Sequence, residues 1–311
     1  MRVFITGATG YIGQFVVKAL CRAGHEVTAL ARSRERTLPL QRYPVDWIFG
    51  DLRNPDRYSA PAAKCDGLIH LGADSSTDKS AVDRLALETL IAAARESSAP
   101  RALLYTSGIW VLGSTGDRAA DETAETDHPA ELVTWRPGHE RLALEAGGGF
   151  LVTAIARPGV VFGGRGGLTE DWFAKVAAGS APTLIGDGRN RWPTVHGEDV
   201  ADLYLRIMES GLGPALRERP PGERIFHAIG AGGERVGEMA QALIAAGGFQ
   251  AQPQLVPLAE ARREMGPLAD ALALDQTVVA PHTERVLGWR ARFRGFAPNA
   301  VELLEAWRHT T

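Results

Sequence analysis

The stretch FITGATGYIG, residues 4–13, constrains the fold more than any other part of the chain. An apolar run ends in Gly7, Gly10 and Gly13, and an amphipathic run, YIGQFVVKALCRAG, follows at once. A tight turn needs glycine's backbone freedom, and close packing of a helix on a strand needs a missing side chain. The amides at the start of such a helix, with its dipole, suit a pyrophosphate. The pattern counts because it sits between a strand and a helix. Gly7, Thr9, Gly10, Tyr11, Ile12 and Gly13 are therefore candidate dinucleotide contacts.

The next residues repeat the alternation. EVTALAR, VDWIFGDL, GLIHLGA, ALLYTSG and FLVTAIARPGVVFG read as strands; SAVDRLALETLIAAARES reads as a helix. A second helix is expected in TWRPGHERLALEA, with Thr134 as its cap and Pro137 in its first turn. Such alternation predicts an α/β fold, a Rossmann-type doubly wound parallel sheet. From about residue 163 glycine-rich loops and short helices take over, with a late strand at ERIFHAIG. The expected division is a dinucleotide-binding domain over 1–162, parts of 193–230 packing back onto it, and a smaller α/β substrate domain over 163–311.

A net charge of −3 gives no basic field for nucleic acid. No apolar run is long enough to span a bilayer. The eight histidines are scattered, and Cys21 and Cys65 lack ligand spacing, so no metal site is expected. Two free thiols and an opening MRVFITG that reads as a strand, not a signal peptide, predict a cytoplasmic protein.

The segments together resemble the extended short-chain dehydrogenase/reductases, the NAD(P)-dependent epimerase/dehydratase family. TGATGYIG is similar to its G-x-x-G-x-x-G motif, GDL (50–52) to its adenine contact, and IHLGA (69–73) to the strand beneath the cofactor. YTSGIWVLG (105–113), ARPGVVFG (156–163), VHGEDVA (195–201) and LGW (287–289) resemble later family segments. The resemblance implies cofactor contacts at Asp51, Leu52, Leu71, Gly72, Ala73, Thr106, Pro158, Gly159 and Val160, and it allows a homodimer. Where an NAD enzyme places a carboxylate after its second strand, this chain has Ala31 and then Arg32. A guanidinium suits a 2′-phosphate, so NADP is expected over NAD.

The family's proton chemistry uses Ser/Thr, Tyr and Lys. These positions map to Gly108, Trp135 and His139, and no Y-x-x-x-K occurs anywhere in the chain. Trp135 and His139, four residues apart, share a helix face. An indole donates a hydrogen bond without ionising, whereas an imidazole exchanges protons near neutrality. Trp135 is expected to stack on nicotinamide or substrate, or to fill the cleft wall. His139 is a substitute acid–base group, a ribose contact, or a plain polar helix residue. Ser107 is the third catalytic candidate. Asp74, Trp110, Arg189, Arg191, Trp192 and His196 are the substrate candidates, the two arginines as an anion clamp and Trp192 as an apolar wall. The expected function is an NADP-binding oxidoreductase or epimerase/dehydratase-like enzyme acting on a small carbonyl, hydroxyl or sugar-type substrate. The alternative is a non-catalytic NADP(H) sensor or regulatory protein.

Overall fold

The computed structural model describes residues 1–309. Its strands are β1 (Arg2–Thr6), β2 (Glu26–Ala31), β3 (Val45–Phe49), β4 (Gly67–His70), β5 (Arg101–Thr106), β6 (Leu151–Pro158), β7 (Val160–Phe162), β8 (Thr183–Ile185), β9 (Arg191–His196), β10 (Ile225–Ala228), β11 (Ala231–Arg235) and β12 (Gln254–Val256). Seven of them form one parallel sheet in the order β10-β6-β5-β4-β1-β2-β3. The order reverses between β1 and β4, and ligands of such sheets bind in the crevice beyond the strand ends at that point.

The helices of interest are α1 (Tyr11–Arg22), α2 (Ser59–Ala63), α3 (Lys79–Arg95), α4 (Arg136–Ala146), α5 (Glu170–Ala177) and α6 (Gly197–Gly211). On one face of the sheet lie α1 and α6. The α1 residues Gly13, Val16, Val17 and Leu20 are buried at helical spacing. They share a core with Val200, Leu203, Tyr204 and Ile207 of α6. On the other face, Leu87, Leu90 and Ile91 of α3 and Ala143 of α4 pack against Leu103, Tyr105 and Ile155. A buried ion pair fixes α4 to β6: Arg157 donates from Nε to Glu140 Oε1 (3.0 Å) and from Nη2 to Oε2 (2.6 Å).

The segment that returns to the sheet after the second layer is α6 plus β10, as the late apolar run ERIFHAIG anticipates. Two boundaries differ from expectation. The strand expected over 150–163 breaks at Gly159 into β6 and β7, because the Gly159 amide turns to donate to Ala228 O and β7 leaves to pair with β9 in a second sheet. The helix expected from Thr134 begins at Arg136 instead, with Trp135 in the capping position and no side-chain cap. Thr134 closes the short turn Glu131–Val133 that precedes it. The second layer is built on aromatic packing: Trp172 stacks on Trp192, and Phe162, Phe173, Phe296 and Trp307 complete that core.

No helix among the described residues is long and apolar enough to cross a membrane. Nor do the described residues hold a group of three or more potential metal ligands.

Candidate active site

Two adjoining cavities open beyond the ends of β1 and β4. The first, about 380 Å³, is lined by Gly7, Thr9, Gly10, Gly13, Arg32, Asp51, Leu52, Leu71, Gly72 and Thr106. Its floor explains the glycines. Gly7 adopts φ +74°, and a Cβ there would lie 2.5 Å from the Leu71 carbonyl. A Cβ on Gly13 would lie 2.1 Å from Gly7 O, so only glycine lets α1 sit this close to the turn. The first helical bond of α1 runs from Gln14 N to Gly10 O, and Gly10 offers no side-chain cap. The amides of Tyr11, Ile12 and Gly13 are thus the orphan donors of an uncapped helix start. That is a cradle for a diphosphate, and these residues fit a dinucleotide.

At the far end, Arg32 and Arg36 both line this cavity, whereas Arg34 lies over the Phe49 ring, 5.7 Å from its centroid. No carboxylate follows β2 at Ala31. Asp51 accepts from the Arg53 amide and lines the cavity beside Gly50 and Leu52.

The second cavity, about 370 Å³, has largely apolar walls, including Ile109, Trp110, Leu132, Val133, Trp135, Pro158, Gly159, Val160 and Leu168. Six residues line both cavities: Tyr11, Ile12, Ala73, Asp74, Ser107 and Arg136. Pro158, Gly159 and Val160 face only the second. Gly108 also lines it, and a Cβ there would come no nearer than 3.9 Å to Pro158 O, so the missing side chain leaves space.

His139 does not line the cleft. It is buried behind the wall, where its Nδ1 donates to Asp83 Oδ2 at 2.7 Å. The same carboxylate oxygen accepts from Tyr105 Oη at 2.8 Å, and His70 Nε2 stands 3.5 Å from Asp83 Oδ1. His70 Nδ1 lies 2.7 Å from Thr6 Oγ1, which takes the Gly72 amide. Burial opposes the charged form of Asp83, but the bond from His139 and the neighbouring His70 imidazole outweigh it and hold this carboxyl below the usual range. His139 shares the Trp135 side of α4, with ring centroids 4.9 Å apart, but lies one turn deeper along the helix, where it meets Asp83 of α3.

Trp135 does line the second cavity, and its Nε1 is buried without a partner. Ser107 lines both cavities with its Oγ likewise buried and unpartnered. Asp74 is tied to Ser76 and to Arg53 Nη2 at 3.4 Å. Neither Tyr11, which lines both cavities, nor Tyr204, beside Thr106, offers a free hydroxyl. Tyr11 donates to Gly163 O at 2.7 Å, and burial raises its phenol far above the ordinary value. Tyr204 donates to Thr106 Oγ1 at 2.9 Å and is likewise raised by burial.

The residues expected to clamp substrate from the second domain lie elsewhere. Arg191 is paired with Asp275 at 2.7 Å and with Asp117 at 2.6 Å. Arg189 is exposed beside Asp187. Trp192 is a core residue whose Nε1 donates to Leu272 O. His196 accepts the Glu198 amide at the start of α6 and stacks on Phe293, with ring centroids 3.9 Å apart. All four line neither cavity, and Arg191, Trp192 and His196 instead hold the second layer together.

Of the charged residues lining the second cavity, sequence reasoning missed three, Lys79, Asp83 and Arg136. Asp83 is a carboxylate inside the apolar stripe Val82, Ala86, Leu87, Leu90 of α3. Arg136 is a cation in the first turn of a helix, where the dipole disfavours it. Each of these two breaks a local rule, which was the available signal.

The chain matches the NAD dependent epimerase/dehydratase family over residues 3–215. It belongs to that family. Over 297 residues, spanning 93% of this chain and 95% of the relative, it is 28% identical to an uncharacterised protein of Schizosaccharomyces pombe. It is 28% identical over 224 residues to a 4-hydroxy-2-methyl-3-oxo-4-farnesyl-3,4-dihydroquinoline-1-oxide ketoreductase of Stigmatella aurantiaca, covering 68% of this chain and 66% of that protein. The fold is shared with the human epimerase family protein SDR39U1, solved with NADPH, at 20% identity and a TM-score of 0.78, over 98% of this chain and 99% of that one.

Proposed function

We propose that this protein is an NADP(H)-dependent oxidoreductase that interconverts a carbonyl and an alcohol in a small, largely apolar molecule. The observation that carries this reading is the joining of the two cavities at Tyr11, Ser107 and Arg136. The dinucleotide cradle leads directly into a small apolar chamber. The ketoreductase from Stigmatella supports the reaction class.

NADP is preferred because two guanidiniums, Arg32 and Arg36, line the end of the cradle and no acid stands at Ala31. A sugar nucleotide is disfavoured by the chamber's small volume and largely apolar walls, and Arg191, expected as an anion clamp, is already paired with carboxylates. The chamber is at the small end of ligand pockets.

Bound NADP(H) would supply or accept the hydride. The chain's own part is to hold the reacting oxygen and exclude bulk water. Ser107, which lines both cavities and whose Oγ is buried without a partner, is the hydroxyl assigned to donate to that oxygen. Neither Ser107 nor Trp135 ionises usefully near neutrality, so the proton that completes an alcohol is drawn ultimately from solvent.

The test is to follow nicotinamide absorbance with NADPH and a panel of alkyl and aryl aldehydes, ketones and nucleotide sugars. Consumption with the apolar carbonyls is expected. Turnover confined to nucleotide sugars, or NADPH binding with no turnover on any probe, would overturn the reading; the latter result belongs to a sensor.

A further inference from the structure

The side chains around the second cavity have an imbalance of donors over acceptors. Trp135 Nε1 and Ser107 Oγ are buried there with no partner. Arg136 makes two hydrogen bonds, both from Nη1: to Thr106 O at 2.9 Å and to Tyr105 Oη at 3.3 Å. Among the described residues Nη2 and Nε have no acceptor, and no carboxylate forms an ion pair with this guanidinium. The acids that line the cavity are both engaged, Asp74 by Ser76 and Arg53, Asp83 by His139 and Tyr105. A ligand that completes the cavity must therefore bring acceptors and, beside an arginine in apolar surroundings, negative charge.

The guanidinium is also held still. Its two bonds fix one edge, and its carbon lies 4.5 Å from the Trp135 ring centroid. Tyr105 Oη, which accepts from Arg136, is itself anchored by donating to Asp83. The chain Asp83–Tyr105–Arg136 thus turns a buried carboxylate into a mount for a cation at the mouth between the cofactor cradle and the chamber. A preorganised donor of this kind is what a developing oxyanion needs.

We infer that Arg136 binds an oxyanion in this cleft: the oxygen of the substrate carbonyl as it takes on alkoxide charge beside the cofactor. Trp135 Nε1 and Ser107 Oγ complete its set of donors. The inference rests on the reductase reading for the identity of that oxygen. Anion binding itself needs no turnover.

The experiment is calorimetric titration of benzoate and of its neutral isostere benzamide, with and without saturating NADP⁺. It uses the full chain, Arg136→Met and Arg136→Lys. The wild type is expected to bind benzoate more tightly than benzamide, with affinity flat from about pH 6 to about pH 9 because arginine does not deprotonate there. Arg136→Met should lose about 10- to 100-fold in benzoate affinity, as for a charge-assisted hydrogen bond, and keep its affinity for benzamide. Arg136→Lys should retain part of it. Loss of both ligands in Arg136→Met, with benzoate binding kept in Arg136→Lys, would mark a collapsed variant and leave the lysine result to support the assignment. Equal benzoate affinity in wild type and Arg136→Met, or none in the wild type at millimolar concentration, would overturn it. Failure to bind NADP⁺ while benzoate still discriminates Arg136 would count against the reductase reading and not against the anion site.

Discussion

Replacing His139 by alanine separates the role its position suggests from the one its contacts assign. The imidazole is buried and lines neither cavity, and its hydrogen bond runs to Asp83 behind the wall of the second. Removing it deletes a charge-assisted bond of 2.7 Å, worth about 1.5–3 kcal/mol, and leaves a void where the ring stood. Asp83 keeps its bond from Tyr105, so the carboxylate is not wholly stranded. The net expectation is a loss of about 2–4 kcal/mol of folding stability, read from urea denaturation at 25 °C. NADPH affinity and turnover at 25 °C should stay within about threefold of wild type, because a change of that size is well under 1 kcal/mol at the transition state. The refuting result is the reverse: unchanged stability with turnover down a hundredfold. His139 would then be the acid–base group, and the wall that separates it from the cleft would have to open.

Four further outcomes follow from the same geometry. Gly13→Ala would drive a Cβ to 2.1 Å from Gly7 O and 2.9 Å from Ala8 backbone, none of which can rotate aside; about 1–3 kcal/mol of stability and most NADPH affinity should be lost, measured by thermal melts and calorimetry. Arg32→Ala with Arg36→Ala should weaken NADPH binding by about tenfold or more and leave NADH binding little changed, since only the former carries the 2′-phosphate. Burial, reinforced by the nearby Arg157 charge, lowers His227 to about 4, below the unfolded value of about 6.5. Its neutral burial therefore costs stability progressively as pH falls from about 6.5 to about 4, and His227→Gln should flatten the denaturation profile in that window. Asp83 is depressed, so its contribution is present above the unfolded carboxyl value near 4 and is lost as pH falls below it; Asp83→Asn should abolish that acid loss and lower stability at pH 7.

Much of the first domain was legible because its signals are local. The glycine spacing, the switch from period two to period 3.6, and the buried 13-16-17-20 stripe of α1 each follow from short-range sterics. The cavity at the glycine turn followed with it, since its floor is backbone placed by the fold. The substrate side was less legible. Arg191 and Trp192 have the composition of an anion clamp, but whether an arginine faces a ligand depends on Asp275, 84 residues away in sequence. His139 shares a helix face with Trp135, as their spacing predicts, but one turn deeper it meets Asp83 of α3, a contact between residues 56 apart in sequence.

The account turns on NADP(H) occupying the cradle beside Arg136. The most direct measurement is calorimetry of the intact chain with NADPH and with NADH. It should give binding by NADPH at least about tenfold tighter than by NADH, with the difference erased in the Arg32→Ala, Arg36→Ala protein. No heat with either nucleotide at millimolar excess would contradict it.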